Sequence, residues 1–213
     1  MDGGRKQVRA VLWLVIFFAV LIWSVIRPYD LPTWILEVTP ALIGLAVLGI
    51  TRRRFPLTTL SYVLILIFSI ILMVGGHYTY ARVPLFDTFS TWFGWSRNNY
   101  DKLGHFAQGF VPAIIAREIL LRLAVVNGRG WLNLFVLSLC LAISALYELV
   151  EWSVAMVSGE AAAAFLGTQG YVWDTQSDMA MALVGAIAAL LLLGRVHDRQ
   201  LARLARGGRM DHA

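Results

Sequence analysis

Three short segments of this 213-residue chain place acids and a histidine at helical spacing. In Tyr100-Asp101-Lys102-Leu103-Gly104-His105-Phe106-Ala107-Gln108, the residues Asp101, His105 and Gln108 stand at i, i+4 and i+7 and share one face over two turns. Glu148 and Glu151, at i and i+3 between Tyr147 and Trp152, share a second face that Ser144 continues. Asp174 and Asp178, at i and i+4, form a third. Five carboxylates brought to one place cannot all ionise unless a cation or shared protons neutralise them. Two answers stand open: carboxylates that keep or share protons because their pKa values are raised, or a divalent metal ion, for which His105, Glu148, Glu151, Asp174 and Asp178 are the candidate ligands. Asp101, His105, Glu148 and Asp178 are the catalytic candidates, as general base or as activators of a water. Oxygen-rich ligation with one imidazole suits manganese, iron, magnesium or zinc alike. A plainer role competes for Asp101 and Asp174, which suit helix N-termini as caps, and Lys102 is expected to neutralise the cluster from its rim.

The elements that must carry these residues are membrane spans. The chain is 59% hydrophobic and 15% charged with a mean hydropathy of +0.69, against roughly 45–50% and about 25% in soluble domains. Apolar runs cover residues 10–26, 34–50, 57–75, 103–121, 131–154 and 175–193. Each can cross a bilayer, and each must be a helix because lipid offers backbone amides no partners. The expected fold class is all-α: a polytopic integral membrane protein with about six transmembrane helices in a single domain, followed by a basic cytoplasmic tail at 194–213. The fourth and sixth spans run inward and the fifth outward, so all three polar faces fall at the same outer depth. Gly104, Ala107, Gly109 and Ala113 on the fourth span, with Ala182, Gly185, Ala186 and Ala189 on the sixth, predict close packing. Cys140, the single cysteine, lies inside an apolar run and excludes an intramolecular disulfide or a zinc finger.

Charge supplies the orientation. Fourteen of the 18 Lys and Arg residues fall on the side of the termini, while most acids fall opposite, so both termini are expected in the cytoplasm. Arg5, Lys6 and Arg9 precede the first run as in a signal sequence, but no small-x-small cleavage site follows, and the run reads as an uncleaved helix. The positive charge is spread over four short segments, which excludes nucleic acid as a partner and points to membrane lipid. Residues 195–209 space their arginines as a helix on the inner leaflet would, or as a solvated tail. Beyond Ala161 to Ala164 there is no low-complexity segment. Arg117 and Glu118 lie too far along the fourth span to join the cluster and read as a local ion pair or as snorkelling side chains. Pro112 predicts a kink. Glu37 reads as interfacial, with reach to the cluster from the side. Residues 76–99, rich in aromatics, read as an interfacial belt or lid.

At Asp101-Lys102-x-x-His105, Glu148-Leu149-x-Glu151-Trp152, and Gly167-Thr168-Gln169-Gly170 followed by Trp173-Asp174 and Asp178-Met179, the chain resembles the YjdF-like family of bacterial inner-membrane proteins. More distantly it resembles VanZ-like membrane proteins. Related sequences carry an acid where Tyr171 stands and Trp where Ser177 stands, so nothing carries over to those positions. The nearer family's activity is not established, so the resemblance implies architecture and inner-membrane location rather than a reaction. The VanZ-like relatives are associated with resistance to a cell-wall-directed glycopeptide, which implies envelope lipids or lipid-linked precursors by analogy. Three functions compete. The first is a metal- or carboxylate-dependent hydrolase or transferase acting on a lipid-like substrate at the outer leaflet. The second is a non-catalytic scaffold with a structural cation site, and the third an ion- or proton-coupled transporter. Against transport, the inner half of the spans reads as apolar and no inverted repeat is present. No Ser-His-Asp motif, cysteine nucleophile or phosphate loop sharpens the chemistry. An apolar surface rich in small residues leaves room for a homodimer.

Overall fold

The computed structural model describes residues 2–158 and 168–210; Glu160, the alanines at 161–164, Gly167 and Asp211 lie outside the described residues. Among the described residues it is all-α, with seven helices: α1 (Asp2–Val25), α2 (Leu31–Thr51), α3 (Thr59–Tyr78), α4 (Pro84–Phe93), α5 (Tyr100–Arg122), α6 (Arg129–Ser158) and α7 (Asp174–Met210). Six of them contain the six apolar runs, and α4 is a short helix within the aromatic segment. Local chemistry marks the boundaries. Asp30 caps α2 by accepting from Thr33 N at 2.8 Å ahead of Pro32, and the Thr58 hydroxyl caps α3 by accepting from Ser61 N. Gly94, with φ +66, ends α4 in the left-handed conformation that glycine adopts without strain.

Helices α1 and α2 pack on α3, while α5 packs on α3, α6 and, most extensively, α7. Two clusters of buried side chains form along these seams. One joins Phe17, Val38, Leu72, Met73 and Tyr80, and the other joins Val111, Ile114, Val136, Cys140, Ala186 and Ala189. Five helices are long and apolar enough to cross a membrane, and α5 is not among them. Asp101, Lys102, Arg117, Glu118 and Arg122 interrupt it, yet nearly half of its 23 residues are buried. A helix walled in by other helices need not be apolar, because its polar groups meet protein rather than hydrocarbon.

The expected close packing is realised where α5 crosses α7. A Cβ on Gly109 would land on the Ala182 carbonyl, and one on Gly185 on the Phe106 carbonyl. The two backbones therefore touch where only glycine leaves room. This contact holds the N-terminal turns of α5 and α7 side by side, and those turns carry Asp101, His105, Asp174 and Asp178.

At its C-terminal end α7 departs from expectation. It runs unbroken for 37 residues, about 55 Å at the helical rise, so residues 195–209 continue the same helix and do not form a separate one. Three contacts fasten the extension: buried His197 lies against Glu118, Arg117 pairs with Asp198 at 2.6 Å, and Gln200 accepts from Leu60 N at 2.9 Å.

Adding a single methyl at the crossing tests its role. Gly109→Ala and Gly185→Ala should each destabilise the protein by about 1–3 kcal/mol through overpacking, whereas Gly194→Ala, with nothing within 4 Å of the new Cβ, should not. Thermal melting of the purified protein in detergent reads the difference, and equal melting of all three variants would refute the tight crossing.

Candidate functional site

At the end of the bundle where α5 and α7 begin and α6 ends, the three acidic faces converge. His105, 5% exposed, is the meeting point. Its Nδ1 lies 3.1 Å from Gln108 Oε1, one turn further along α5. An amide oxygen can only accept, so Nδ1 carries the proton in this pairing. Nε2 then faces Asp101 Oδ1 at 3.4 Å and Asp178 Oδ1 at 3.9 Å. A bare nitrogen lone pair pointed at two carboxylates is repulsive, so the position calls for a proton or a cation between them. One ligand atom each from Asp101, His105 and Asp178 lies within 4.8 Å of the others, compact enough for one ion to reach all three. Glu148 arrives from α6, with Oε1 3.8 Å from His105 Nδ1. This oxygen is buried and makes no hydrogen bond among the described residues, as is also true of the buried Ser144 hydroxyl one turn away.

Fixed cations are built into the same place. Lys102 Nζ lies 2.9 Å from Asp174 Oδ1 and 2.6 Å from Asp178 Oδ1. Arg97 donates to Asp174 Oδ1 at 2.6 Å and to the Thr168 carbonyl at 3.2 Å, and its second terminal nitrogen is 3.6 Å from Asp101. Lys102 is therefore part of the cluster, not a rim charge, and Arg97 is a member that sequence reasoning missed. Its membership depends on the turn between α4 and α5, which no spacing rule reveals. Asp174 gives its Oδ1 to both Arg97 and Lys102, so it acts in the charge cluster. It also stands outside the Asp101, His105 and Asp178 group, while the partly buried Glu151 lies on the same face of α6 as Glu148.

On the opposite flank, α2 contributes Glu37. It is 5% exposed and accepts from the Tyr147 hydroxyl of α6 at 2.8 Å. The Tyr147 ring stacks edge-on to His105 with centroids 6.3 Å apart. Glu37 is thus buried within the bundle and reaches toward the cluster from the side through Tyr147, as its reach allowed. Tyr80, just beyond α3, fills a slot left by Gly75 and Gly104, where a Cβ at either glycine would collide with its ring.

The cover over the cluster also differs from expectation. In the aromatic segment, Trp92, Phe93 and Trp95 are exposed as a belt would be, while the chain entering α7 lies nearer the charges. Gln169 exchanges two hydrogen bonds with the backbone of Asn98, at 3.0 and 2.9 Å. The Tyr171 ring stands 5.5 Å from the Arg97 guanidinium and 5.6 Å from Lys102 Nζ, within cation–π range.

The other end of α5 overturns the expectation of a purely apolar inner half. Glu118 is fully buried and accepts from Thr58 N at 2.9 Å, the Thr58 hydroxyl at 2.8 Å, the Ser61 hydroxyl at 2.7 Å, His197 Nε2 at 3.2 Å and Arg122 at 3.0 Å. It is no snorkelling surface acid. Arg117 pairs away from it, with Asp198 and His197 Nδ1. These partners come from α3 and α7, which is why the sequence showed only an isolated Arg-Glu pair. Between the two polar ends lies an apolar layer that includes Val111, Ile114, Ala182, Ala186 and Cys140.

Comparison with known proteins agrees with this architecture. The family described as "Predicted membrane protein (DUF2238)" matches residues 9–199. The chain is 54% identical over 184 residues, 86% of its own length and 88% of the relative's, to "Inner membrane protein YjdF" of Escherichia coli strain K12. No solved structure matches.

The unequal satisfaction of the acids predicts unequal mutants. Asp174→Asn removes the carboxylate that Arg97 and Lys102 share and, because Lys102 keeps Asp178 and Arg97 keeps Asp101, should cost about 1–3 kcal/mol, as the loss of a charged hydrogen-bond partner does. Glu148→Gln removes a charge that receives no hydrogen bond at Oε1 and should leave stability within about 1 kcal/mol of wild type or raise it. Detergent melting curves compare the two, and the opposite ranking would overturn this description of the cluster.

Proposed function

Because the chain belongs to the DUF2238 family of predicted membrane proteins, and its relative in Escherichia coli is named as an inner-membrane protein, we propose that it is a multi-pass inner-membrane enzyme. Its reaction is hydrolysis or group transfer on the polar head of an envelope lipid or lipid-linked precursor. In this reading a divalent cation binds Asp101, His105 and Asp178. Glu148 is the fourth ligand or the base that takes a proton from a bound water, with Glu151 behind it. Lys102 and Arg97 hold Asp174 and Asp178 in place and offer positive charge to an anionic head group.

The observation that carries the proposal is the orientation of His105. With Nδ1 given to Gln108, Nε2 points at two carboxylates from two helices, and a Glu148 oxygen with no hydrogen bond among the described residues lies 3.8 Å from Nδ1. Charge balance supports it. Among the described residues Arg97 and Lys102 are the permanent cations paired with Asp101, Asp174 and Asp178, while Glu37, Glu148 and Glu151 add further carboxylates nearby, and a low-dielectric site with that excess takes up protons or metal. The bias of basic residues toward the terminal side supports a reading with the cluster toward the periplasm and both termini in the cytoplasm, in which the substrate is drawn from the outer leaflet.

A second reading has its own observation. Lys102 bridges Asp174 and Asp178 within 2.9 Å and joins α5 to α7 as a clamp would, which suits a scaffold whose cation is structural.

Elemental analysis of protein purified in detergent should find near-stoichiometric divalent metal, lost in Asp178→Asn and His105→Gln variants that remain monodisperse. With an inner-membrane lipid extract, the metal-loaded protein should release a product detectable by mass spectrometry, and Glu148→Gln should not. Metal-free wild type would sink the metallo-site. Bound metal whose removal lowers the melting temperature without any turnover would select the scaffold. For orientation, fluorescent protein fused after Ala213 should fluoresce and alkaline phosphatase fused after Trp95 should be active; the reverse pattern would invert the assignment.

A further inference from the structure

Helices α2 and α5 both pack on α3 but scarcely touch each other, and an apolar groove of about 460 Å³ lies between them, within the roughly 300–1,000 Å³ of small-molecule sites. Its walls include Pro40, Gly44 and Leu48 of α2, Phe68 and Leu72 of α3, and Ile115 of α5. Two hydroxyls also line it, and both are returned to their own helices: Thr51 donates to the Val47 carbonyl at 2.7 Å and Ser69 to the Ile65 carbonyl at 2.8 Å. Those hydroxyls are therefore already spent, and the surface suits hydrocarbon. A Cβ on Gly44 would meet nothing within 4 Å, so the space beside it is open.

Length and charge narrow the occupant. Along α2 the groove reaches from Pro40 to Thr51, about 17 Å at the helical rise, close to half of the ~30 Å hydrocarbon core. At mid-bundle it ends against Ala41, Leu72 and Val111, which are buried. At its other end it meets the turn joining α2 to α3, where Arg52, Arg53 and Arg54 are all exposed. The neighbouring Arg117 and Arg122 are occupied within the protein, by Asp198 and Glu118. An apolar slot one leaflet deep with three exposed guanidinium groups at its mouth matches a single acyl chain below a phosphate.

We propose that this groove is a binding site for an anionic phospholipid of the leaflet at the Arg52 end, with one acyl chain between α2 and α5 and the phosphate on Arg52, Arg53 and Arg54. The site lies apart from the carboxylate cluster and does not rest on its chemistry.

The full chain, purified in mild detergent, is titrated with phosphatidylglycerol or phosphatidylcholine of identical acyl chains and examined by native mass spectrometry. Phosphatidylglycerol should be retained with a preference of roughly tenfold or more, as three juxtamembrane cations imply. The triple variant Arg52→Gln, Arg53→Gln, Arg54→Gln should bring that ratio close to one while keeping acyl binding. Gly44→Trp, or Leu48→Trp if the first is not monodisperse, should fill the slot and lose both lipids. Equal retention by wild type, meaning annular lipid only, would overturn the proposal. So would a preference that survives the triple variant, or wild-type retention by a monodisperse tryptophan variant.

Discussion

A helix that carries Asp101, Lys102, His105, Arg117, Glu118 and Arg122 cannot face hydrocarbon, and the rest of this structure follows from enclosing it. An ionised side chain in the middle of a bilayer costs on the order of 2.5–3.5 kcal/mol even on the lenient insertion scale, and α5 meets that constraint by packing its polar face against α3, α6 and α7. Enclosure in turn demands close approach. The glycines at the α5–α7 crossing and the Gly75 and Gly104 slot for Tyr80 supply it, leaving the lipid-facing helices free to be plainly apolar.

The two ends of α5 solve the same electrostatic problem differently. Glu118 collects donors from five groups on three helices and the loop before α3, and is satisfied by protein alone. That is the pattern of a polar group retained for architecture. The carboxylates at the other end outnumber their cations, and Glu148 Oε1 is left without a donor. Folding has no use for such an oxygen, since an amide or an apolar residue would cost less to bury. An unsatisfied carboxylate beside a buried imidazole is the arrangement on which the proposed cation site rests.

The sequence exposed what depends on periodicity within one helix. Asp101 with His105, Glu148 with Glu151 and Asp174 with Asp178 were readable as faces, and alternation of the spans brought those faces to one depth. Gly109 and Gly185 were readable as packing residues because lipid leaves few other uses for small side chains at such spacing. What could not be read is what arrives from outside a span's own repeat. Arg97 enters from a turn, and Glu37 enters from a helix far away in sequence, linked through Tyr147. The Glu118 and His197 pair is separated by 79 residues, and α7 continues past the apolar run because its polar residues find partners on α3 and α5. In each case the decisive term is a tertiary hydrogen bond, which leaves no mark on hydropathy.

Polar groups at both ends reopen the question of a path through the bundle, and the core between them answers it. From Gln108 to Glu118 is ten residues, about 15 Å along α5. The neighbours over that stretch include Val111, Ile114, Cys140, Ala186 and Ala189, all buried in one apolar cluster. The Ser69 hydroxyl that faces this layer from α3 is given to the Ile65 carbonyl, and the backbone contact of Gly109 with Ala182 and of Gly185 with Phe106 leaves no space between α5 and α7 at their crossing. Transport would need this crossing to open, yet the crossing is what aligns Asp101 and His105 with Asp178. One contact therefore does two things: it closes the centre of the bundle and brings the carboxylate cluster together at its end.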